Sequence, residues 1–306
     1  MVGGVGGPKL KVLVTGASGM VGRNLVDYFR DNGVDVIPTD LSGCEVNGNL
    51  LDTDFVFSRL SSLEFDAIIH LAAMTEIKKT VENPKLCFEI NCLGTLNMLE
   101  LASRKNVSRF LYSSSANVFG APKSNPVTEE SPFAPRVPYD YSKVASESFV
   151  MSFYKTKGLP VSITRSWLLF GAYDQPSRAM LRFIRGCLNN EPLTLFNQGR
   201  DTTSPTHAAN FARLALTILE KKEAVGQAFN FGGERAVSVS EMAQLVKELT
   251  GSRSELILAP PRTELEKEPQ ISYPSIEKVR SVLGYRHELS LEEGIQRTIA
   301  WVKSGK

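Results

Sequence analysis

Three glycines spaced GxxGxxG, in the stretch Thr15-Gly16-Ala17-Ser18-Gly19-Met20-Val21-Gly22, constrain the fold more than any other feature of this chain. They follow a short apolar run at residues 11–15 and open a segment with helical spacing at 22–32. A glycine has no Cβ, so a strand can turn sharply into a helix and backbone N–H groups can approach a phosphate at the helix N-terminus. The same bareness lets the helix press on the strand it follows. Alone, the spacing is a weak signal, because an ordinary strand-to-helix turn also satisfies it.

The surrounding pattern gives it weight. Short β-rich runs at 11–15, 34–38, 67–71, 109–113 and 161–165 alternate with stretches at 22–32, 84–105 and 139–157 whose apolar residues recur at helical spacing. Such alternation predicts right-handed βαβ units, hence an α/β fold with a doubly wound parallel sheet covered by helices on both faces. Beyond Gly171 the pattern loosens into Pro- and Asn-containing loops, then 227–231 reads as a strand and 240–250 as a helix. The expected organisation is a Rossmann-type NAD-binding domain over 8–165 and a smaller, mainly substrate-binding lobe over 166–306. Some segments of that lobe should return to the first domain.

Composition narrows the function classes. With 42% hydrophobic and 22% charged residues and no run of eighteen apolar ones, the chain reads as a globular protein rather than a membrane-inserted one. The formal charge is +2 and no basic block tracks a nucleic-acid backbone. Cys44, Cys87, Cys92 and Cys187 form no CxxC pair, and with His70, His207 and His287 they give no metal-ligand spacing. The Gly-rich residues 1–7 lack the positive start of a signal peptide, so a cytoplasmic location is expected.

The second β-rich run leads into Pro38-Thr39-Asp40, about twenty residues beyond the glycines, where a carboxylate can accept hydrogen bonds from a ribose diol. A solvated loop aspartate is the bland alternative. No Lys or Arg follows at once, which favours NAD over NADP, because a 2′-phosphate would meet Asp40 without an offsetting cation.

The glycine loop, His70-Leu71-Ala72-Ala73 and Asn91-Cys92-Leu93-Gly94-Thr95 together resemble the extended short-chain dehydrogenase/reductases, over nearly the whole chain. The resemblance implies a cofactor site made of Gly16, Ser18, Gly19, Met20, Gly22 and Asp40, with Leu71, Ala72, Ala73 and Ser113 along the dinucleotide. It gives Asn49 and Leu50 to adenine, in place of the family's acidic-apolar pair. It also assigns Asn91 to support of the active-site helix and its water relay. His70 reads as a buried strand-end residue.

Ser113-Ser114-Ser115-Ala116-Asn117-Val118-Phe119-Gly120 follows a strand, and Tyr139-Asp140-Tyr141-Ser142-Lys143 begins a helix. Positions i and i+4 share a helix face, so Tyr139 and Lys143 can address one sugar hydroxyl and the nicotinamide ribose together. A phenol with pKa about 10 is a poor base at neutral pH, and lowering it to about 7 takes about 4 kcal/mol. Lys143 and an oxidised nicotinamide would both favour the phenolate. In the family, the hydroxyl residue three before Val118 is catalytic, which implicates Ser115. Tyr141 lies two positions before Lys143 and is expected to be structural.

Family dehydratases usually carry Asp-Glu after the catalytic hydroxyl, where this chain has Ala116-Asn117. The remaining pattern is similar to UDP-glucose/UDP-galactose 4-epimerases, including Gln198-Gly199-Arg200-Asp201 and the closing segment from Leu291 to Trp301. This implies NAD-dependent C4 epimerisation of a UDP-hexose through a transient 4-keto sugar. Thr75, Ser115, Ala116, Asn117 and Tyr139 would face the substrate, and Arg200 and Arg262 would hold its diphosphate. Leu168 departs from the asparagine of many epimerases, and with Ser204-Pro205-Thr206 it looks closer to dTDP-4-dehydrorhamnose reductases. A sugar reductase and a non-catalytic nucleotide-binding subunit are the alternatives. In the family the helices that match 84–105 and 139–157 form a four-helix dimer interface, so the resemblance implies a homodimer, with core packing inside one subunit as the other explanation of their apolar stripes.

Overall fold

The computed structural model describes residues 10–261, 267 and 269–305. Seven strands form one all-parallel sheet: β1 (Lys11–Thr15), β2 (Asp35–Asp40), β3 (Val46–Asn47), β4 (Ala67–His70), β5 (Arg109–Ser115), β6 (Val161–Ser166) and β7 (Gln227–Phe231). Their spatial order is β7-β6-β5-β4-β1-β2-β3, so the direction of winding reverses between β1 and β4. In an open α/β sheet the crevice at that reversal is where a ligand binds. The fold is the expected doubly wound α/β sheet with a smaller C-terminal region.

The helices that carry the argument are α1 (Met20–Asp31), α2 (Gly94–Lys105), α3 (Pro138–Lys157), α4 (Ala179–Leu188), α5 (Ala208–Glu220), α6 (Val239–Thr250) and α7 (Leu291–Lys303). Strand side chains alternate between faces. Val12 and Val14 accordingly pack with Phe29 of α1 and Phe211 of α5, while Leu13 packs on the opposite side with Met98 and Leu101 of α2. Both faces of the sheet are dry, and β1 is buried along its whole length except at Lys11. A separate cluster joins Phe183 and Ile184 of α4, Met242 and Val246 of α6, and Ile295 of α7.

Two departures from the sequence pattern matter. The helical run at 84–105 is not one helix: Pro84–Phe88 and α2 flank a wider π-helical turn at Glu89–Leu93. Such a turn has i→i+5 hydrogen bonds, and here it carries the buried Asn91. β5 also runs two residues further than its apolar stretch, to Ser115, because parallel pairing with β6 continues through Ser115 and Ser166.

α3 has well-defined ends. Pro138 stands at its first turn, and the Asp140 carboxylate accepts from the backbone N–H groups of Arg136 (3.0 Å) and Val137 (3.3 Å). Proline supplies a helical φ in advance, and the carboxylate takes up N–H groups just ahead of the first turn. Gly158 closes the helix in the left-handed region at φ 67°. Tyr139 and Lys143 therefore sit on the first turns of a firmly anchored helix.

Candidate active site

A cavity of about 1260 Å³ opens at the C-terminal ends of β1, β4 and β5 and extends to the lobe formed around α4 and α6. Its floor is the glycine loop. Gly16 has φ +70°, and a Cβ there would stand 2.7 Å from the Ala72 nitrogen; at Gly22 it would stand 2.6 Å from the Ala17 Cα. Neither position can carry a side chain without displacing backbone. Gly19 caps α1 with no side-chain hydrogen bond, and the first turn of α1 contains no acidic residue. Its unsatisfied N–H groups and positive dipole end suit a pyrophosphate.

Asp40 ends β2 at the cavity wall. Its Oδ2 accepts from the Ser18 N–H (3.0 Å) and hydroxyl (2.6 Å), and its Oδ1 from the Leu41 N–H (2.7 Å). Oδ1 keeps a lone pair for a ribose hydroxyl. Asn49 and Leu50 line the same end, with the Asn49 side-chain oxygen accepting from the Leu51 N–H. Further along lie Leu71, Ala72, Ala73 and Ser113, small or apolar groups that leave room for a flat ring. The glycine cradle, the open helix end and Asp40 fit a dinucleotide.

At the other end of the cavity stand Tyr139, Lys143, Ser115, Ala116, Asn117 and Thr75. Tyr139 and Lys143 are 8% and 3% exposed. The Lys143 ammonium donates to the Ser113 carbonyl at 2.8 Å and lies 4.8 Å from the Tyr112 ring centroid and 5.9 Å from that of Tyr139. Burial lowers its pKa to about 8, against the pull of the nearby Glu147 carboxylate. Burial pushes Tyr139 up to about 12, although the neighbouring Ser115 hydroxyl and the Arg178 charge act in the opposite direction. In the chain alone, without the charge of an oxidised nicotinamide, desolvation outweighs these attractions and the phenol stays protonated. Tyr141 is 53% exposed and outside the cavity wall.

Of the described residues expected at the site, Asn91 and Arg200 stand outside the cavity wall. Asn91 is fully buried behind the wall: its amide joins the Met74 N–H (2.7 Å) and carbonyl (3.2 Å) to the Ser142 hydroxyl (2.9 Å), so it braces α3. Arg200 does not line the cavity: Asn197 and Gln198 take left-handed backbone, and the Asn197 side chain holds the guanidinium at 3.0 Å. Arg262 lies outside the described residues. The remaining expected cofactor and substrate contacts all line the cavity.

Other residues surround the site, and the sequence gives no role in it to Glu147 or Arg178. His70, at the end of β4, bonds Thr15 (2.7 Å) through Nδ1 and Thr95 (3.0 Å) through Nε2, tying the strand before the glycine loop to the base of α2. Glu147 follows Lys143 by one helical turn and is locked in a buried ion pair with Arg165 at 2.8 Å. Arg178 lines the cavity, held by the nearly buried Asp174 at 3.2 Å. The i, i+4 spacing of Lys143 and Glu147 was the one available clue.

A model of the NAD dependent epimerase/dehydratase family matches residues 12–232. The chain belongs to that family. NAD is thus its cofactor, in agreement with the cradle and Asp40. Among relatives, a Methanocaldococcus jannaschii protein provisionally named UDP-glucose 4-epimerase is 30% identical over 96% of this chain and 98% of its own length. UDP-glucuronic acid decarboxylase 1 of Danio rerio is 29% identical over 95% of this chain and 72% of its own. A Thermotoga maritima UDP-glucose 4-epimerase solved with UDP-glucose is 26% identical, with a TM-score of 0.89 over 97% of this chain and 99% of that one. The family membership makes this an NAD-dependent enzyme of nucleotide-sugar epimerase, dehydratase or decarboxylase type.

Proposed function

We propose that the protein is an NAD-dependent epimerase that inverts C4 of a UDP-linked hexose through a transient 4-keto sugar. The observation that carries this reading is the chemistry beside the phenol: Tyr139, Lys143 and Ser115 are present in one cavity, and the two positions after Ser115 hold Ala116 and Asn117. Elimination at neighbouring carbons needs an acid and a base there. Without them, proton transfer at a single hydroxyl is the step this wall supports.

The roles divide as follows. Tyr139 takes the proton of the C4 hydroxyl and later returns it. Ser115 hydrogen-bonds the same oxygen while it passes between alcohol and carbonyl. Lys143, fixed by the Ser113 carbonyl, orients the ribose and places a positive charge near the phenol. When bound, NAD supplies the two-electron acceptor and donor, and in its oxidised form a further positive charge at this end of the cavity. The wide cavity beyond Ser115 leaves space for the sugar to turn while its nucleotide stays in place.

A homodimer belongs to the same reading. Phe88 and Leu93, around the π-helical turn, and Tyr141 of α3 are 39%, 50% and 53% exposed, an apolar face along the neighbouring helices that a second copy would cover.

Incubation with UDP-glucose, followed by nuclear magnetic resonance of the sugar, tests the proposal. UDP-galactose formed without net change in NADH is the expected result. Stoichiometric loss of NADH with a keto-sugar, or no turnover of any nucleotide sugar, would overturn it.

A further inference from the structure

The loop at 171–178, between β6 and α4, crosses over the N-terminal half of α1, and its attachment there is stronger than a connection requires. The Asn24 side chain, 9% exposed, donates to the Met20 carbonyl and the Ala172 carbonyl, both at 2.8 Å. It thereby joins the first turn of α1 to the loop. Next to it, the Tyr173 hydroxyl donates to Asp27 at 3.2 Å, and the Arg23 guanidinium lies 5.2 Å from the Tyr173 ring centroid. Arg23 in turn donates to the Ser18 carbonyl of the glycine loop at 2.9 Å. From the other side, Trp301 of α7 meets the Tyr173 ring edge-on at 5.4 Å.

Tyr173 makes these contacts from a left-handed backbone, φ +63°. An aromatic residue adopts that region only where its surroundings over-determine it. Tyr173 also lines the main cavity together with Ser18, Gly19 and Met20, and the loop it belongs to contributes Asp174, Gln175 and Arg178 to the same wall. The strained residue thus stands between the pyrophosphate cradle and the substrate end, clamped on α1, α7 and the glycine loop.

We propose that Tyr173 is a positioning residue that clasps the 171–178 loop against α1 and so slows the release of NAD. The inference rests on the epimerase reading in one respect: a reaction that ends at the redox state in which it began has no use for cofactor exchange, whereas a reductase must exchange it every turnover. Asp27 and Arg23 complete the clasp from outside the reacting end of the cavity.

The test measures exchange directly, with no sugar present. Protein loaded with unlabelled NAD is mixed with excess isotopically labelled NAD, and the bound cofactor is followed by mass spectrometry. Tyr173→Asn keeps a residue that tolerates left-handed backbone and removes the ring. It is expected to exchange roughly tenfold faster or more, the scale set by losing a hydrogen bond and a cation–π contact. Tyr173→Phe and Asp27→Ala each lose the same hydroxyl-carboxylate bond, so they are expected to share one smaller acceleration. Any fall in the melting temperature of the cofactor-stripped variants should be small and should not rank with the exchange rates; a fall in step with them would mean a purely structural role and overturn the proposal. Wild-type exchange rates in Tyr173→Asn and Asp27→Ala would also overturn it, and if Tyr173→Asn fails to fold, Asp27→Ala and Tyr173→Phe decide. Slow wild-type exchange in a protein that leaves UDP-glucose unchanged would sink the epimerase reading and leave the clasp standing.

Discussion

Lowering the pH from about 7.5 to about 5 should destabilise the fold through His70. The ring is 1% exposed, and burial together with the nearby Lys143 charge lowers its pKa from 6.5 to about 3. Both ring nitrogens are already committed, to the Thr15 and Thr95 hydroxyls, so the neutral form is the one the fold holds. The unfolded chain binds a proton at His70 below pH 6.5 and the folded chain does not, so stability falls as the pH drops toward 3. At pH 5 the unfolded side is favoured by about 1.5 pH units of proton binding, or about 2 kcal/mol from this one residue. His207, lowered to about 4 chiefly by burial, acts in the same direction, while Glu129 and Asp174, both raised by burial, act in the opposite one. The net pH dependence is therefore not diagnostic, but a difference of differences is. His70→Gln keeps hydrogen-bonding groups for both threonines and cannot titrate. Urea denaturation followed by tryptophan fluorescence at both pH values should give a stability change about 2 kcal/mol smaller in the variant than in the wild type. Equal changes in the two proteins would refute the argument that His70 folds as a neutral ring.

Gly22→Ala should abolish NAD retention, since its Cβ would stand 2.6 Å from the Ala17 Cα and force the glycine loop apart; cofactor content of the purified variant by absorbance checks this. Turnover should fall as pH rises through about 8, where Lys143 loses its proton, and a profile that stays flat well above pH 8 would contradict its role as the fixed cation. Leu93→Arg, on the exposed apolar face, should halve the solution mass measured by light scattering without changing the circular dichroism spectrum. A wild-type protein that is already monomeric would remove the dimer from the account.

The parts of this site legible in the sequence are those written in local spacing. GxxGxxG after a strand implies a cradle because glycine's lack of a Cβ acts within a few residues, and Tyr139 with Lys143 share a face because a helix repeats on that scale. Asp40 was readable for the same reason, as the end of an apolar strand. What was not readable depends on local backbone conformation or on partners distant in the chain. The π-helical turn that carries Asn91 interrupts the run at 84–105, and hydrophobic spacing does not distinguish that turn from plain helix. Arg200 is held by Asn197, which stands with Gln198 in left-handed backbone and is itself bonded to Asp201, and no spacing in the sequence signals that arrangement. The clasp at Tyr173 joins residues 146 positions apart and leaves no periodic trace. The burial that pushes the Tyr139 phenol up is not legible either, because a sequence reveals which charges are near in the chain and not how completely water is excluded.

All of the proposed chemistry passes through the hydroxyl of Tyr139, and one comparison tests that most directly. Tyr139→Phe removes a single oxygen from a ring that is 8% exposed and should leave the fold and bound NAD intact. With UDP-glucose as substrate, the account predicts that the variant purifies with the wild-type content of NAD and interconverts the sugar at least about a hundredfold more slowly, the usual scale for losing a general base. A Tyr139→Phe protein that retains its NAD and turns over at the wild-type rate would contradict it.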